Sequence, residues 1–480
     1  MVWITLPLMR LRLLTVLLTF VATATSTPLA TRGHEAPPIG THTELGLQGS
    51  AKVLCSAVFV SGRDPDDAAT NGGFWFMPPE QADKVTWTVD RERKMVTTRL
   101  GDLTRTARFY GDQGCIIDRV GKTGIEFKPV PVRTTLPDAM TQDWPMGDRL
   151  PASPPSTGID QAKLTAALDA AFADPEARTA GMVIVHKGQL VGERYRPGIT
   201  KDTQLESWSM GKSITSTLFA LLVKDGTYTL EQPAPVPEWQ KPGDARAAIR
   251  TMDLLRMSSG LRFIATQDSD YSPDKGYPDH FYIYTGAVNA FEYSVNVPLQ
   301  FPINTEGRYR NCDPLTIGYL IKRAVTARGE EYLTWPQRAL FDRIGIRRQV
   351  LETDPYGNFL LTGYDYGTPR NWARLGLLYQ QDGMWQGTRI LPEGWAKFVS
   401  TPAPAWKRGN YGGLFWINGA GEWKLPKDAY FMAGAGGQWT FVVPSHQLVV
   451  VRMGHYKGAG AGQRALNRAF DILLSAVPTD

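Results

Sequence analysis

Ser209 and Lys212 stand three residues apart in Glu206-Ser-Trp-Ser-Met-Gly-Lys-Ser-Ile-Thr-Ser-Thr-Leu-Phe-Ala-Leu-Leu, a segment that reads as a buried helix from Lys212 to Val223. At 3.6 residues per turn this spacing brings both side chains to one side of the helix start, where hydroxyl and amine can meet. A serine is a poor nucleophile until a base takes its proton, and a lysine amine can act as that base only when burial or positive potential lowers its pKa. A helix N-terminus supplies such potential together with backbone N–H donors. The pair therefore suits an acyl-serine chemistry of the Ser-x-x-Lys kind. Two other readings of the segment fail: a phosphate-binding loop needs glycine where Glu206 stands, and a Gly-x-Ser-x-Gly elbow needs glycine where Ser207 stands. An ordinary capped helix with a surface lysine is the remaining alternative.

The elements around this segment read as follows. Ile159 to Phe172 carries apolar residues at helical spacing, and Gly181-Met-Val-Ile-Val-His and Gln189-Leu-Val-Gly-Glu-Arg-Tyr form a hairpin about Lys187-Gly188. The order is mirrored at the end of the chain by strands Trp439–Val443 and Gln447–Met453 and a helix from Arg464 to Leu474. An antiparallel sheet framed by the first and last of these helices would join the two ends. Upstream, alternating runs from 46 to 130 read as strands of a small β-rich domain. Residues 131–157 read as a linker, in a stretch with seven prolines from Pro129 to Pro155.

The first 24 residues read as a signal peptide, with Arg10 and Arg12 ahead of the apolar run Leu13–Ala24, and residues 25–45 as a flexible leader. The run is short for a span, so no stable membrane insertion is expected after cleavage, and a periplasmic or secreted location is. The composition, 42% hydrophobic and 21% charged over 480 residues, is that of a folded globular chain. Its formal charge of +5 has no dense basic run, so nucleic acid is not an expected partner. Export makes a disulfide between Cys55 and Cys115 plausible and leaves Cys312 as a buried thiol. The six histidines show no pair at ligand spacing; neither metal nor cofactor is expected. The stretch Asp268–Tyr284, with four tyrosines, is either a cleft lining or a surface loop, and Gly458-Ala-Gly-Ala-Gly462 reads as a loop.

From about residue 159 onward the chain resembles the β-lactamase-related serine hydrolases, which include class C β-lactamases, D-alanyl-D-alanine peptidases, esterases and 6-aminohexanoate-dimer hydrolases. The resemblance rests on ordered segments: Ser209-Met-Gly-Lys212, Met252-Asp-Leu-Leu-Arg-Met-Ser-Ser-Gly-Leu261, Gly307-Arg-Tyr309-Arg-Asn311, Thr368-Pro-Arg-Asn-Trp-Ala-Arg-Leu-Gly and Ile390-Leu-Pro-Glu-Gly-Trp. It implies an α+β fold: a β-lactamase/transpeptidase-like catalytic domain over 158–480, with an antiparallel sheet flanked by helices and an all-helical region, after the small β-rich domain. It also implies that Tyr309 shares acid and base work with Lys212, and that Asn311 orients Lys212 and the substrate amide. The family's third motif, Lys-Thr-Gly or His-x-Gly, is replaced here by Met432-Ala-Gly434-Ala435-Gly436-Gly. Glycines let that backbone approach a substrate, so the Ala435 N–H could pair with the Ser209 N–H as an oxyanion hole. The missing cation or histidine puts β-lactam hydrolysis in doubt. The expected activity is hydrolysis of a small-molecule ester, linear amide or peptide; a peptidase or β-lactamase, and a catalytically silent binding protein with the same cleft, are the alternatives.

Overall fold

A computed structural model describes residues 38–152 and 157–478. The expected signal segment lies outside them, as does the leader up to residue 37. Among the described residues no helix is long and apolar enough to cross a membrane.

The chain enters helix α1 (His42–Phe59) through a capping box in which Thr41 and Glu44 satisfy each other's backbone N–H groups. Four antiparallel strands follow in sheet order, β1 (Thr86–Asp90), β2 (Met95–Leu100), β3 (Leu103–Phe109) and β4 (Cys115–Ile117). The strands match the sequence pattern; the helix corrects it. Residues 42–45, assigned to the leader, are its first turn, and it supplies one side of a core made by Ala51, Leu54, Cys55, Val96 and Ala107. α1 is buried from Leu45 to Val58, with the sheet on one side and the rest of the molecule on the other. A helix buried all round shows no amphipathic period, which is why its sequence is silent. A disulfide joins Cys55 of α1 to Cys115 of β4.

The following segment crosses the larger body, and the proline-rich stretch is not extended throughout: Ala139–Thr141 form a single helical turn, and Gly147 and Asp148 donate back to the Asp143 and Ala139 carbonyls. Arg347 donates to the carbonyls of Pro137 and Met146, and Arg374 to those of Pro145 and Gly147. Trp144 is buried in the same crossing.

The larger body is built on α2 (Gln161–Phe172), the hairpin β5 (Thr179–His186) and β6 (Gln189–Tyr195), and helices α3 (Gly211–Lys224), α4 (Asp279–Thr285), α5 (Cys312–Ala327) and α6 (Pro369–Gln380). It ends with β7 (Trp416–Ile417), β8 (Tyr430–Gly434), β9 (Gln438–Val443), β10 (Leu448–Gly454) and α7 (Ala459–Ala476). The main sheet is antiparallel in the order β7-β8-β9-β10-β5-β6, so the two ends of this body meet at β10 and β5. Alternation along each strand divides its side chains between two faces. Met182, Ile184, Phe441 and Val450 pack under α2 and α7, whereas Val183, Val185, Val442 and Val449 face α6 and the helical region. Residues 459–462, expected as a loop, open α7 instead; a side chain at Gly462 would collide with the buried Arg452 guanidinium, its Cβ 2.7 Å from Nη2.

Phe441 is fully buried against Trp423, Phe431 and Phe470, with ring centroids 4.8, 5.0 and 5.0 Å away. Phe441→Ala is expected to lower stability by about 3–5 kcal/mol, and Val120→Ala, at an exposed position, by less than about 0.5 kcal/mol. Urea unfolding midpoints check this; equal losses would contradict a core centred on the α2–α7 face.

Candidate active site

The residues before Ser209 form a short strand, Leu205–Glu206, that pairs with Asp365–Gly367. The Ser207 N–H donates to the Asp365 carbonyl at 3.0 Å, and the Ser207 hydroxyl donates to the Asp365 carboxylate. Trp208 then takes a positive φ of 49°, an uncommon conformation for a large side chain, and the chain turns into α3. Gly211 permits the turn: a Cβ there would lie 2.3 Å from Asp365 Oδ1 and 2.6 Å from the Leu361 carbonyl.

This turn brings the predicted pair together. Lys212 Nζ donates to Ser209 Oγ at 2.8 Å and to the Thr362 carbonyl at 2.8 Å; the Ser209 hydroxyl, half-buried, lies 3.2 Å from the same carbonyl. Lys212 is buried, and desolvation holds its amine well below the usual lysine range, partly opposed by the negative charge of Asp365. Asp365 is itself pushed up to about 7 by burial, against hydrogen bonds from Ser207 and Gln349 and the nearby Lys212 charge.

Tyr309 lies over the same pair, with Lys212 Nζ 4.7 Å from its ring centroid. Burial raises its phenol, while a hydrogen bond with Ser209 pulls the other way. Its ring stacks on Trp416 at 5.3 Å and meets Tyr411 edge-on. The buried Arg310–Asp268 pair, at 2.7 Å, and a bond from Arg310 to the Tyr309 carbonyl hold this stretch in place. Part of the Asp268–Tyr284 stretch reaches the site: His280 lies 6.0 Å from the Tyr309 ring, and burial together with the Lys212 and Arg310 charges keeps its imidazole well below the usual range.

The Asn311 amide nitrogen is engaged away from Lys212, and its Oδ1 is buried without a hydrogen-bond partner among the described residues. Asn311 stands fully buried at the start of α5, and its amide donates to the His280 carbonyl at 3.0 Å; Thr362 supplies the acceptor beside Lys212. The glycine-rich turn divides in two. Gly434 abuts the nucleophile segment, since a Cβ on it would lie 2.0 Å from the Ser207 carbonyl and 3.1 Å from the Ser209 nitrogen. Ala435 follows it into the turn between β8 and β9. Gly436 faces away, its missing Cβ pointing at Tyr456, and with φ of 80° it serves the hairpin. Arg452, buried and lowered to about 9 by desolvation, donates to the Gly436 and Gly437 carbonyls and so ties down the turn.

The residues that sequence reasoning missed are Thr362, which acts through a carbonyl that any residue carries, and Asp365 and Trp208, which act through burial and backbone shape. The one usable signal was the Thr368-Pro369 helix start of α6, which marks Asp365–Gly367 as an ordered approach to that helix. On the N-terminal side, Trp75 packs edge-on against Trp208 at 4.9 Å and stacks on Tyr456 at 4.5 Å, so the α1 layer forms one wall beside the site.

The fold and this site define a β-lactamase/transpeptidase-like protein. Residues 164–472 match the β-lactamase family, and the chain belongs to that family, one of serine hydrolases. No curated protein sequence matches it. Among solved structures it is similar to a Bacillus anthracis protein assigned as a 6-aminohexanoate-dimer hydrolase (18% identity, covering 69% of this chain and 89% of the other, TM-score 0.55). It is similar also to a penicillin-binding protein homolog from Caulobacter crescentus (15% identity, 68% and 100% coverage, TM-score 0.51). A third, EstCE1, described as a hydrolase with promiscuous acyltransferase activity, matches at 14% identity with 65% and 99% coverage and a TM-score of 0.50. At these identities the likeness is one of fold.

Gly434→Val is expected to slow covalent labelling of Ser209 by a fluorophosphonate about 100-fold, by displacing the Ser209 turn, while Ala435→Gly changes it less than about 3-fold because only the backbone of residue 435 is needed. Labelling rates on variants with unchanged circular dichroism check this. Equal rates for Gly434→Val and the wild type would remove Gly434 from the site.

Proposed function

We propose that this protein is an exported, metal-independent serine hydrolase that cleaves a carboxylic ester or linear amide of a small molecule through an acyl-Ser209 intermediate. The observation that carries the reading is the 2.8 Å contact between Ser209 Oγ and a buried Lys212 amine whose pKa is well below the lysine range. A neutral amine can accept a proton, and a charged one cannot.

In the forward reaction Ser209 Oγ attacks the substrate carbonyl carbon as its proton passes to Lys212 Nζ. The Ser209 and Ala435 N–H groups receive the oxyanion. The tetrahedral intermediate collapses, the bond to the leaving group breaks, and Tyr309 relays the proton from Lys212 to the departing oxygen or nitrogen. Water then attacks the acyl-enzyme, giving its proton to the same groups, and free acid and Ser209 are restored. Because Lys212, Tyr309 and Ser209 are coupled, the resting proton belongs to the set and not to one residue.

Two features support ester or linear amide over β-lactam and peptidase substrates. The third motif carries Met432 and Ala433 where a cation or histidine would hold a substrate carboxylate, and Arg452, two strands away on β10, is spent on backbone carbonyls. Export is supported by the buried Cys55–Cys115 disulfide, a bond that persists in oxidising compartments.

Intact-mass spectrometry after fluorophosphonate treatment is expected to show one adduct on the wild type that maps to Ser209 and is absent from Ser209→Ala. Lys212→Ala and Tyr309→Phe are each expected to reduce turnover of a p-nitrophenyl ester by about 10²–10⁴-fold. Benzylpenicillin is expected to leave no stable adduct. No adduct and no turnover across an ester and amide panel would overturn the hydrolase reading in favour of a binding protein.

The pH dependence has a defined sign. Loss of a proton from Lys212 activates Ser209, so the labelling rate rises with pH through the Lys212 pKa, well below the 10.5 of an ordinary lysine. Lys212→Arg keeps its proton throughout and is expected to abolish that limb. Survival of the limb in Lys212→Arg would assign the base elsewhere.

A further inference from the structure

The Thr362 carbonyl that receives both Lys212 and Ser209 lies in a turn whose anchor is Glu352. The Leu360 N–H donates to the Glu352 carbonyl at 2.9 Å, and the Glu352 N–H donates to the Tyr364 carbonyl at 3.0 Å. Within the turn, the Gly363 and Tyr364 N–H groups donate to the Leu360 carbonyl at 3.0 and 2.9 Å. Residue 362 thus sits in a small loop closed at its base by the backbone of residue 352.

The Glu352 side chain points out of the larger body into the N-terminal layer, where it is fully buried. All three of its donors come from that layer. Lys52 of α1 forms an ion pair with it, the Ser56 hydroxyl donates at 2.7 Å, and the Cys115 N–H donates at 2.8 Å. Ser56 follows Cys55 directly, so the disulfide joins the two stretches of chain that supply the uncharged donors. Gly114 leaves the room required, because a Cβ there would lie 2.2 Å from Glu352 Oε1. Lys52 Nζ also lies 4.1 Å over the ring of Tyr364, two residues from Thr362. A buried ion pair is costly unless its remaining hydrogen bonds are satisfied, as those of Glu352 are here. The family match begins at residue 164, so these donors lie outside the matched region.

We propose that Glu352 is a positioning residue for Ser209 and Lys212: clamped by Lys52, Ser56 and the Cys115 amide, it holds the Thr362 carbonyl in register, so the N-terminal layer is part of the catalytic machinery. The proposal rests on the acyl-Ser209 reading. It gives the layer a task beyond stability, since a displacement of about 1 Å of a group that holds the base can cost about 100-fold in rate.

The test compares the mature full-length wild type with Glu352→Gln, with the double variant Lys52→Met/Glu352→Gln, and with Glu193→Gln. The double variant keeps volume and removes both buried charges, so it is expected to fold even where Glu352→Gln alone, which leaves Lys52 uncompensated, does not. Glu193→Gln breaks a pair with Arg370, whose Nε lies 2.8 Å from Glu193 Oε2, on β6 and away from this turn. Thermal melting, p-nitrophenyl ester kcat and KM, and the pH profile of kcat are measured for each. The double variant is expected to lose at least about 10-fold in kcat with KM changed less than about 3-fold. Its acid limb is expected to move to higher pH, as water reaching Lys212 relieves the desolvation that lowers its pKa. Glu193→Gln is expected to melt earlier with kcat and pH profile unchanged. A folded double variant with wild-type kcat and profile overturns the clamp, as does a kcat loss in Glu193→Gln that tracks melting to the same degree. Fluorophosphonate labelling of the wild type is run in parallel: absence of a Ser209 adduct overturns the acyl-serine reading, and an adduct beside an unchanged double variant overturns the clamp alone.

Discussion

A lysine amine held out of water between a serine hydroxyl and a backbone carbonyl is the constraint on which the rest of this structure depends. In water the Lys212 amine would be protonated at neutral pH and of no use as a base. Burial lowers its pKa and shifts the balance towards the neutral amine, and the neighbours are compatible with that form: Thr362 offers a carbonyl instead of a carboxylate, Tyr309 an aromatic face, and His280 an imidazole held well below its usual range. The nearest source of negative potential, Asp365, is buried, bound by the Ser207 hydroxyl and raised to about 7, which limits how far it draws a proton back to Lys212.

Holding that arrangement requires rigid elements on several sides, and the fold provides them from sequence-distant places. The nucleophile turn is bracketed by Asp365–Gly367, with which Leu205–Glu206 pairs, and by the end of β8, where only glycine fits at position 434. Arg452 ties the following turn to β10 through its carbonyls, and Arg310 with Asp268 does the same for the Tyr309 stretch. Arg452 and the Arg310–Asp268 pair are buried charges held by specific partners. Such groups add little net stability but strongly restrict geometry when their hydrogen bonds are complete.

What was legible in the sequence follows from the physics of each signal. Ser209 and Lys212 are three residues apart on a helix start, and β5 and β10 are short apolar runs next to turns and buried along their whole length, so short-range patterns reveal them. Tyr309 was found through the order of motifs and not through spacing. α1 was missed because its burial on all sides erases periodicity, and Thr362 because a carbonyl has no residue signature. The partner of the Asn311 amide was not legible, because the His280 carbonyl that takes it is 31 residues away. Gly436 was grouped with Gly434 because both are glycines in one turn; the hairpin needs one for its positive φ and the site needs the other for its close approach.

The central claim, that Lys212 is a neutral amine at the pH where the protein works, can be measured without any substrate. NMR titration of protein carrying [ε-13C]lysine, with the Lys212 resonance assigned by its absence from Lys212→Arg, reads the pKa directly. The account predicts that Lys212 titrates well below every exposed lysine in the chain. A Lys212 resonance that moves with the exposed lysines near 10.5 would contradict it, because Ser209 would then have no base beside it.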